Sequence, residues 1–411
     1  MFKISNRYLI ATCGVLLHLM LGSTYAWSVY RNPIMSETGW SQSSIAFAFS
    51  LAIFCLGMSA AFLGKVVESF GPRITGSISA CFYALGNILT GVAVANHQLW
   101  LLYLGYGLIG GIGLGIGYIT PVSTIIKWFP DKRGLATGLA IMGFGFASLL
   151  TSPVAQFLMT NVGLSKTFYY LGMFYFLVML IVSQFIHKPS QADVAKLETK
   201  SSHSNQQLDM TSGLSAKEAL KTKLFYLLWI AFFINISCGL GLISVVAPMA
   251  QQLAHMTVAQ ASFIVGLMGI FNGLGRLLWA SLSDYIGRPL TFTLLFIVNI
   301  IMTLLLMVSS ASIIFTIALS LIMTCYGAGF SLIPPYLSDL YGAKELAILH
   351  GYMLTAWGMA ALFGPMLLSY LLELSHSYMV TLLSFGLLYI LGLVIILVVR
   401  RQSKAFIFSK S

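Results

Sequence analysis

Charged side chains are scarce in this chain, 8% of 411 residues against about a quarter in an ordinary soluble domain. So few charges cannot coat a water-soluble fold of this size. Acidic residues are scarcer still, Asp+Glu 11 against Lys+Arg 22, and none falls well inside an apolar run; Glu37, Asp339 and Glu373 stand nearest, close to run ends. That shortage argues against a relay of buried carboxylates, the usual device of proton-driven pumps, and favours exchange or facilitated movement. Cysteine is sparse too. Cys13, Cys55, Cys81, Cys238 and Cys325 sit in five different apolar runs, without the pairing of a zinc site or a disulfide framework, and read as small packing residues. No metal, no cofactor and no enzyme chemistry is expected, because neither a polar metal cluster nor a nucleophile constellation stands out.

What the chain does have is long apolar sequence, with 58% hydrophobic residues. A helix needs roughly 20 apolar residues to cross a hydrocarbon core of about 30 Å. The runs and their breaks predict an all-α integral membrane protein of twelve transmembrane helices, over 8–30, 42–64, 72–95, 99–126, 134–159, 167–187, 223–250, 260–283, 289–309, 312–336, 346–371 and 378–400. The first follows Lys3 and Arg7 as a secretory signal would, but eleven more follow it, so a retained helix is simpler. A Ser-, Gln- and Lys-rich stretch separates an N-terminal bundle (1–187), a linker (188–222) and a C-terminal bundle (223–411). Inside it, Ser215-Ala216-Lys217-Glu218 has capping-box spacing and predicts a short surface helix. An incidental match in a disordered loop fits the same four residues as well.

Cytoplasmic loops retain an excess of Lys and Arg. Placing both termini on the cytoplasmic side of an inner or plasma membrane puts all but three of the basic residues there; Arg31 and Lys166 fall outside and Arg276 lies within a span. The net charge of +11 is then explained by topology and anionic lipid headgroups, so the bilayer is the expected partner and nucleic acid is not. The run Gly107 to Gly117 contains G-x-G, but no strand precedes it, so close helix packing is the better reading than a nucleotide site.

The chain repeats itself. Gly64-Lys65-Val66-Val67-Glu68-Ser69-Phe70-Gly71-Pro72-Arg73 and Ala280-Ser281-Leu282-Ser283-Asp284-Tyr285-Ile286-Gly287-Arg288-Pro289 share a small residue, a carboxylate, a glycine, then arginine and proline, at an offset of 216 residues. These loops resemble the signature after the second and eighth helices of the major facilitator superfamily. The resemblance implies two pseudo-symmetric six-helix bundles, with Glu68, Gly71, Arg73, Asp284, Gly287 and Arg288 as gating residues. A tight turn with solvated charges is the plainer reading of the same residues.

Arg276 carries the sharpest expectation. It precedes Asp284 by eight residues, about 12 Å along a helix, and a charge at such depth faces a cavity or a partner. With no carboxylate in any span to pair with it, an anion supplied by a substrate suits its two-pronged guanidinium. A bond to backbone carbonyls, or snorkelling, is the structural alternative. Tyr25, Trp27, Tyr118, Tyr326, Phe330 and Trp357 lie on helices expected to line the same cavity. His18 and His350 are the titratable groups through which a proton would be coupled; a lone helical histidine is more commonly a packing residue.

Three segments together resemble the oxalate/formate antiporter family within that superfamily: Tyr25-Ala26-Trp27-Ser28-Val29-Tyr30-Arg31-Asn32-Pro33, Lys127-Trp128-Phe129-Pro130-Asp131-Lys132-Arg133-Gly134-Leu135-Ala136, and Phe271-Asn272-Gly273-Leu274-Gly275-Arg276. In that family an arginine of the eighth helix and a lysine of the eleventh flank a dianion. Arg276 matches the arginine, whereas the lysine position falls on Trp357, and one lost cation favours a monoanion. The resemblance therefore implies a carrier of a small monocarboxylate such as formate, lactate or pyruvate. Rival expectations are an oxalate exchanger, a drug or amphipathic-metabolite exporter, and a channel. Nothing in the sequence demands an oligomer, so a monomer is expected.

Overall fold

The structure is a computed structural model that describes residues 6–130, 132–190, 193 and 213–408. Among them, twelve helices are long and apolar enough to cross a membrane. In order, the spans lie within Arg7–Ala26, Gln42–Phe70, Pro72–Ala95, Leu99–Trp128, Arg133–Val162, Leu164–Ser183, Lys223–Leu253, Val258–Ile286, Arg288–Val308, Ser312–Tyr341, Leu346–Ser375 and Tyr378–Phe408. Large apolar side chains such as Phe62, Phe157, Ile313 and Leu374 are exposed on the outside, as suits a fold whose solvent is lipid. Most of the linker expected over 188–222, and Lys3, Lys196, Lys200 and Lys410 from the charge count, lie outside the described residues.

The predicted spans are recovered, and the differences have local causes. The first is not one helix over 8–30. An α-helix Arg7–Leu21 gives way to a 3-10 turn Gly22–Ala26 and then to a second helix, Trp27–Thr38. Ser23 Oγ donates to the Met20 carbonyl, and a hydroxyl bonding back to its own helix weakens the regular ladder. In the fourth span a π-helical segment, Tyr103–Gly110, precedes Gly111–Trp128. Glycines at 105, 107 and 110 carry no side chain to resist the wider turn. The second and eighth spans run on to Phe70 and Ile286, because Glu68 and Asp284, read from sequence as loop, are still helical and find partners there.

The two repeated loops form the same turn. Gly71 (φ 78°) and Gly287 (φ 86°) each close one helix and open the next, a backbone region that side chains with a Cβ rarely adopt. A proline follows in the first turn of each new helix, where its missing N–H costs nothing. The capping box at Ser215 is formed in both directions, and Ala216–Ala219 is a short helix. Its start is pinned to the tenth–eleventh loop, Leu214 N–H donating to the Tyr341 carbonyl (2.9 Å) and Ala216 N–H to Glu345 Oε2 (2.6 Å). The hydroxyl and then the amide of Ser215 hold the Glu218 carboxyl below the usual carboxylate range.

The two halves meet through helices stripped of side chains. Between the second and eleventh spans, Gly57 faces Leu354 O and Gly358, Gly64 faces Ala347 O and Ile348, and Gly351 abuts the Ala60 backbone. Between the fifth and eighth, Gly138 faces Arg276 O and Leu277, and Gly145 faces Gly273. In lipid, helices associate by close van der Waals packing rather than by hydrophobic burial, so these glycines set how near the halves come. The Cβ of Gly351→Val would have to displace Ala60 backbone. We expect this variant to raise impermeant-maleimide labelling of a cysteine introduced at Leu354 several-fold. Unchanged labelling would show that this seam does not hold that end closed.

Candidate substrate site

Arg276 is fully buried in the eighth span. Gly275, beside it, lies against Thr324 backbone, and Gly273 admits Phe146 and Gly145, so the eighth span is clasped by the tenth and the fifth. One helical turn earlier, Asn272 Oδ1 accepts from Arg276 Nε at 3.2 Å, and the Ile141 carbonyl accepts from Nη1 at 3.3 Å. Nη2 has no hydrogen-bond partner. No carboxylate pairs with this guanidinium among the described residues. Two rings flank it, Phe330 at 4.8 Å and Phe144 at 5.6 Å from Cζ, a cation–π contact worth about 2 kcal/mol when desolvated.

Around this centre the structure gathers most of the residues expected from sequence. Trp357 lies 4.6 Å from Phe330, 5.4 Å from Tyr118 and 5.6 Å from Phe144, ring centre to ring centre. Tyr326 packs on Phe330 at 5.4 Å, and its hydroxyl meets that of Tyr25 at 3.3 Å across the two halves. The phenols of Tyr25 and Tyr118 both face the guanidinium. Besides Arg276 Nη2, Tyr118 OH and Trp357 Nε1 are buried without a well-formed hydrogen bond, the Tyr118 phenol lying beside the guanidinium in looser contact. Buried donors left unpaired each cost about 1–3 kcal/mol.

Trp27 is the exception. It packs tilted against Tyr106 at 4.1 Å and lies 6.2 Å from Tyr30, within the N-terminal half and apart from the cage. Two residues beyond Tyr25, it points to the opposite side of a helical turn. Phe144 and Asn272 were not anticipated. Asn272 was readable as the i−4 neighbour of a deep arginine; Phe144, one of Phe 28 in the chain, carries no distinguishing signal beyond its flanking glycines.

The repeated loops engage differently. Asp284 accepts from Gly134 N–H and Leu135 N–H, both at 2.8 Å, and so caps the start of the fifth span from the other half. Arg288 holds Asp284 (2.6 Å) and Asp339 (3.3 Å) and also donates to Ser283. Glu68 instead bonds Lys127 of its own half (3.3 Å) and Lys188 at the start of the linker (2.8 Å). Arg73 sits near the start of the third span, directly after the Gly71 turn.

Twelve spans in two related halves, with a buried cation at their interface, are the architecture of a secondary transporter. The chain belongs to the Major Facilitator Superfamily, whose model matches residues 12–333 and 228–409. It is 29% identical over 364 residues to the oxalate:formate antiporter of Oxalobacter formigenes, covering 88% of this chain and 84% of that protein. It is 23% identical over 441 aligned positions to apicoplast pyruvate carrier 1 of Toxoplasma gondii, covering 83% and 79%. Among solved structures, a proton:xylose symporter bound to 6-bromo-6-deoxy-D-glucose superposes with TM-score 0.71 at 15% identity over 96% of this chain and 95% of that one, a likeness of fold.

The Asp284 cap joins the halves through two hydrogen bonds to a charged acceptor, each worth about 1.5–3 kcal/mol. Asp284→Ala is expected to lower the unfolding midpoint in detergent and to speed cysteine labelling at the Gly134 end of the fifth span. An unchanged midpoint with unchanged labelling would remove Asp284 from any locking role.

Proposed function

We propose that the chain carries a small monocarboxylate across a cell membrane by alternating access, with the bundles 1–187 and 223–411 rocking about Arg276. The observation that carries this reading is a fully buried guanidinium with one free prong and no carboxylate beside it among the described residues. A carboxylate reaching Nη2 supplies the missing acceptor and the missing charge in one step. Tyr118 OH and Trp357 Nε1 are placed to donate to its oxygens, while Phe144 and Phe330 cover the guanidinium and keep water from competing.

Selectivity for one negative charge follows from arithmetic at the site. A dianion needs a second cation, and Trp357 stands where the resemblance to oxalate exchangers puts a lysine. The relatives named for oxalate, formate and pyruvate support short organic acids as the substrate class. The Lys and Arg distribution supports cytoplasmic termini, which puts the Asp284 cap and both repeated loops on the cytoplasmic side. In this conformation the cap binds the halves at that end, and it must break for the site to open there. Glu68, with Gly71 and Arg73, steadies the corresponding corner of the N-terminal half, and Gly287 with Arg288 that of the C-terminal half. The lone cation also counts against export of cationic drugs.

Arg276→Gln is expected to abolish saturable carboxylate entry into proteoliposomes, and Arg276→Lys to retain part of it, since a point charge survives without the fork. Normal entry in both variants would sink the assignment. Trp357→Lys is expected to move preference towards oxalate by tenfold or more, about 1.4 kcal/mol. Identical competition profiles for this variant and the native protein would show that position 357 does not read substrate charge.

A further inference from the structure

His18 is fully buried beside the cage, its ring 5.0 Å from that of Tyr118 and 6.3 Å from Phe144. Its two nitrogens meet two backbone carbonyl oxygens: Nδ1 lies 2.6 Å from Ala140 O in the fifth span, and Nε2 lies 2.9 Å from Tyr118 O in the fourth. Carbonyl oxygens only accept, and a neutral imidazole has a single N–H. In either neutral tautomer one of these short contacts sets a nitrogen lone pair against an oxygen lone pair. The imidazolium alone donates in both directions.

We propose that His18 is a proton-binding site loaded together with the anion at Arg276, so that one proton accompanies each monocarboxylate. The proposal rests on the carboxylate reading above and adds its co-substrate. Charged and titratable groups face His18 from three elements: Tyr118 of the fourth span, Arg276 of the eighth and, through Tyr118, His350 of the eleventh. The fifth span brings the Ala140 carbonyl and the ring of Phe144. The Arg276 guanidinium repels a proton on His18 while the site is empty. A bound carboxylate cancels that charge, and the two carbonyls then hold the imidazolium against the cost of its burial alone. Departure of the anion restores the repulsion and expels the proton.

The balance closes without a carboxylate relay. One RCOO⁻ on Arg276 and one H⁺ on His18 enter from one face and leave at the other, and no net charge crosses. His350 is buried 6.0 Å from Tyr118, ring to ring, with neither nitrogen hydrogen-bonded, so it lacks the pair of acceptors that His18 has. Because coupling between two ligands is reciprocal, the anion must tighten proton binding by the factor by which the proton tightens anion binding.

The test uses full-length protein with ¹⁵N-labelled histidine in nanodiscs, the His18 signals being those missing from His18→Asn or, should that variant fail to fold, from His18→Gln. With saturating pyruvate or formate, both His18 nitrogens are expected to carry protons, and removing the acid is expected to lower the midpoint by about one pH unit for a tenfold coupling. In voltage-clamped liposomes, an inward proton gradient is expected to drive accumulation of the same labelled acids by the native protein, and the His18 variant is expected to lose at least about tenfold of that drive. A singly protonated His18 from about pH 5 to 8 in the presence of acid overturns the proposal, as does accumulation indifferent to the gradient. Absence of any pyruvate or formate counterflow in native protein is a separate failure. It overturns the carboxylate reading and takes this proposal with it.

Discussion

A positive charge is held at the centre of a lipid-embedded bundle with no negative charge among the described residues to answer it. Insertion scales put the cost of such an arginine at about 2.5–3.5 kcal/mol. Two flanking rings, one asparagine and one carbonyl recover part of that, and Nη2 is left over. The rest of the architecture follows from keeping this group dry and between the halves. Arg276 comes from one half, Phe144, Tyr118 and Tyr25 from the other, so whatever binds here binds to both. A ligand that bridges the halves has a differential affinity for states in which they are apart or together, and only such a difference can shift their equilibrium.

Small residues make the bridge possible. The glycines of the second, fifth, eighth and eleventh spans bring backbones within van der Waals contact along two seams, and the cage is suspended between them. At one end the Asp284 carboxylate, steadied by Arg288, closes on the first amides of the fifth span. Its counterpart Glu68 answers one lysine of its own half and one at the start of the linker, and none of the other half. The internal repeat is thus symmetric in backbone, with the same glycine turn twice, and asymmetric in what its carboxylates hold.

Much of this was legible in the sequence because the bilayer imposes a one-dimensional code: each helix must be long and apolar, and each charge inside it must have a reason. Arg276 could be singled out by that logic alone, and the tyrosines, Phe330 and Trp357 followed from their helices. Trp27 did not follow, because a 3-10 turn at Gly22–Ala26 reorients the first span just where facing had to be judged. Phe144 was hidden among equivalent aromatics, and the paired carbonyls at His18 are backbone groups from two other helices, which no side-chain pattern encodes. The helix ends at Glu68 and Asp284 were read short for a related reason. Their charges look like loop until the partners that hold them are in place.

The central claim is that the unanswered guanidinium waits for a single carboxylate. Counterflow in proteoliposomes of the native protein tests it most directly: preload with one unlabelled short acid at a time, then follow labelled formate, lactate, pyruvate and oxalate. The account predicts saturable, trans-stimulated entry of at least one monocarboxylate, with oxalate a poor substrate and a poor competitor. Entry of none of the monocarboxylates, or oxalate moving as well as they do, would contradict it.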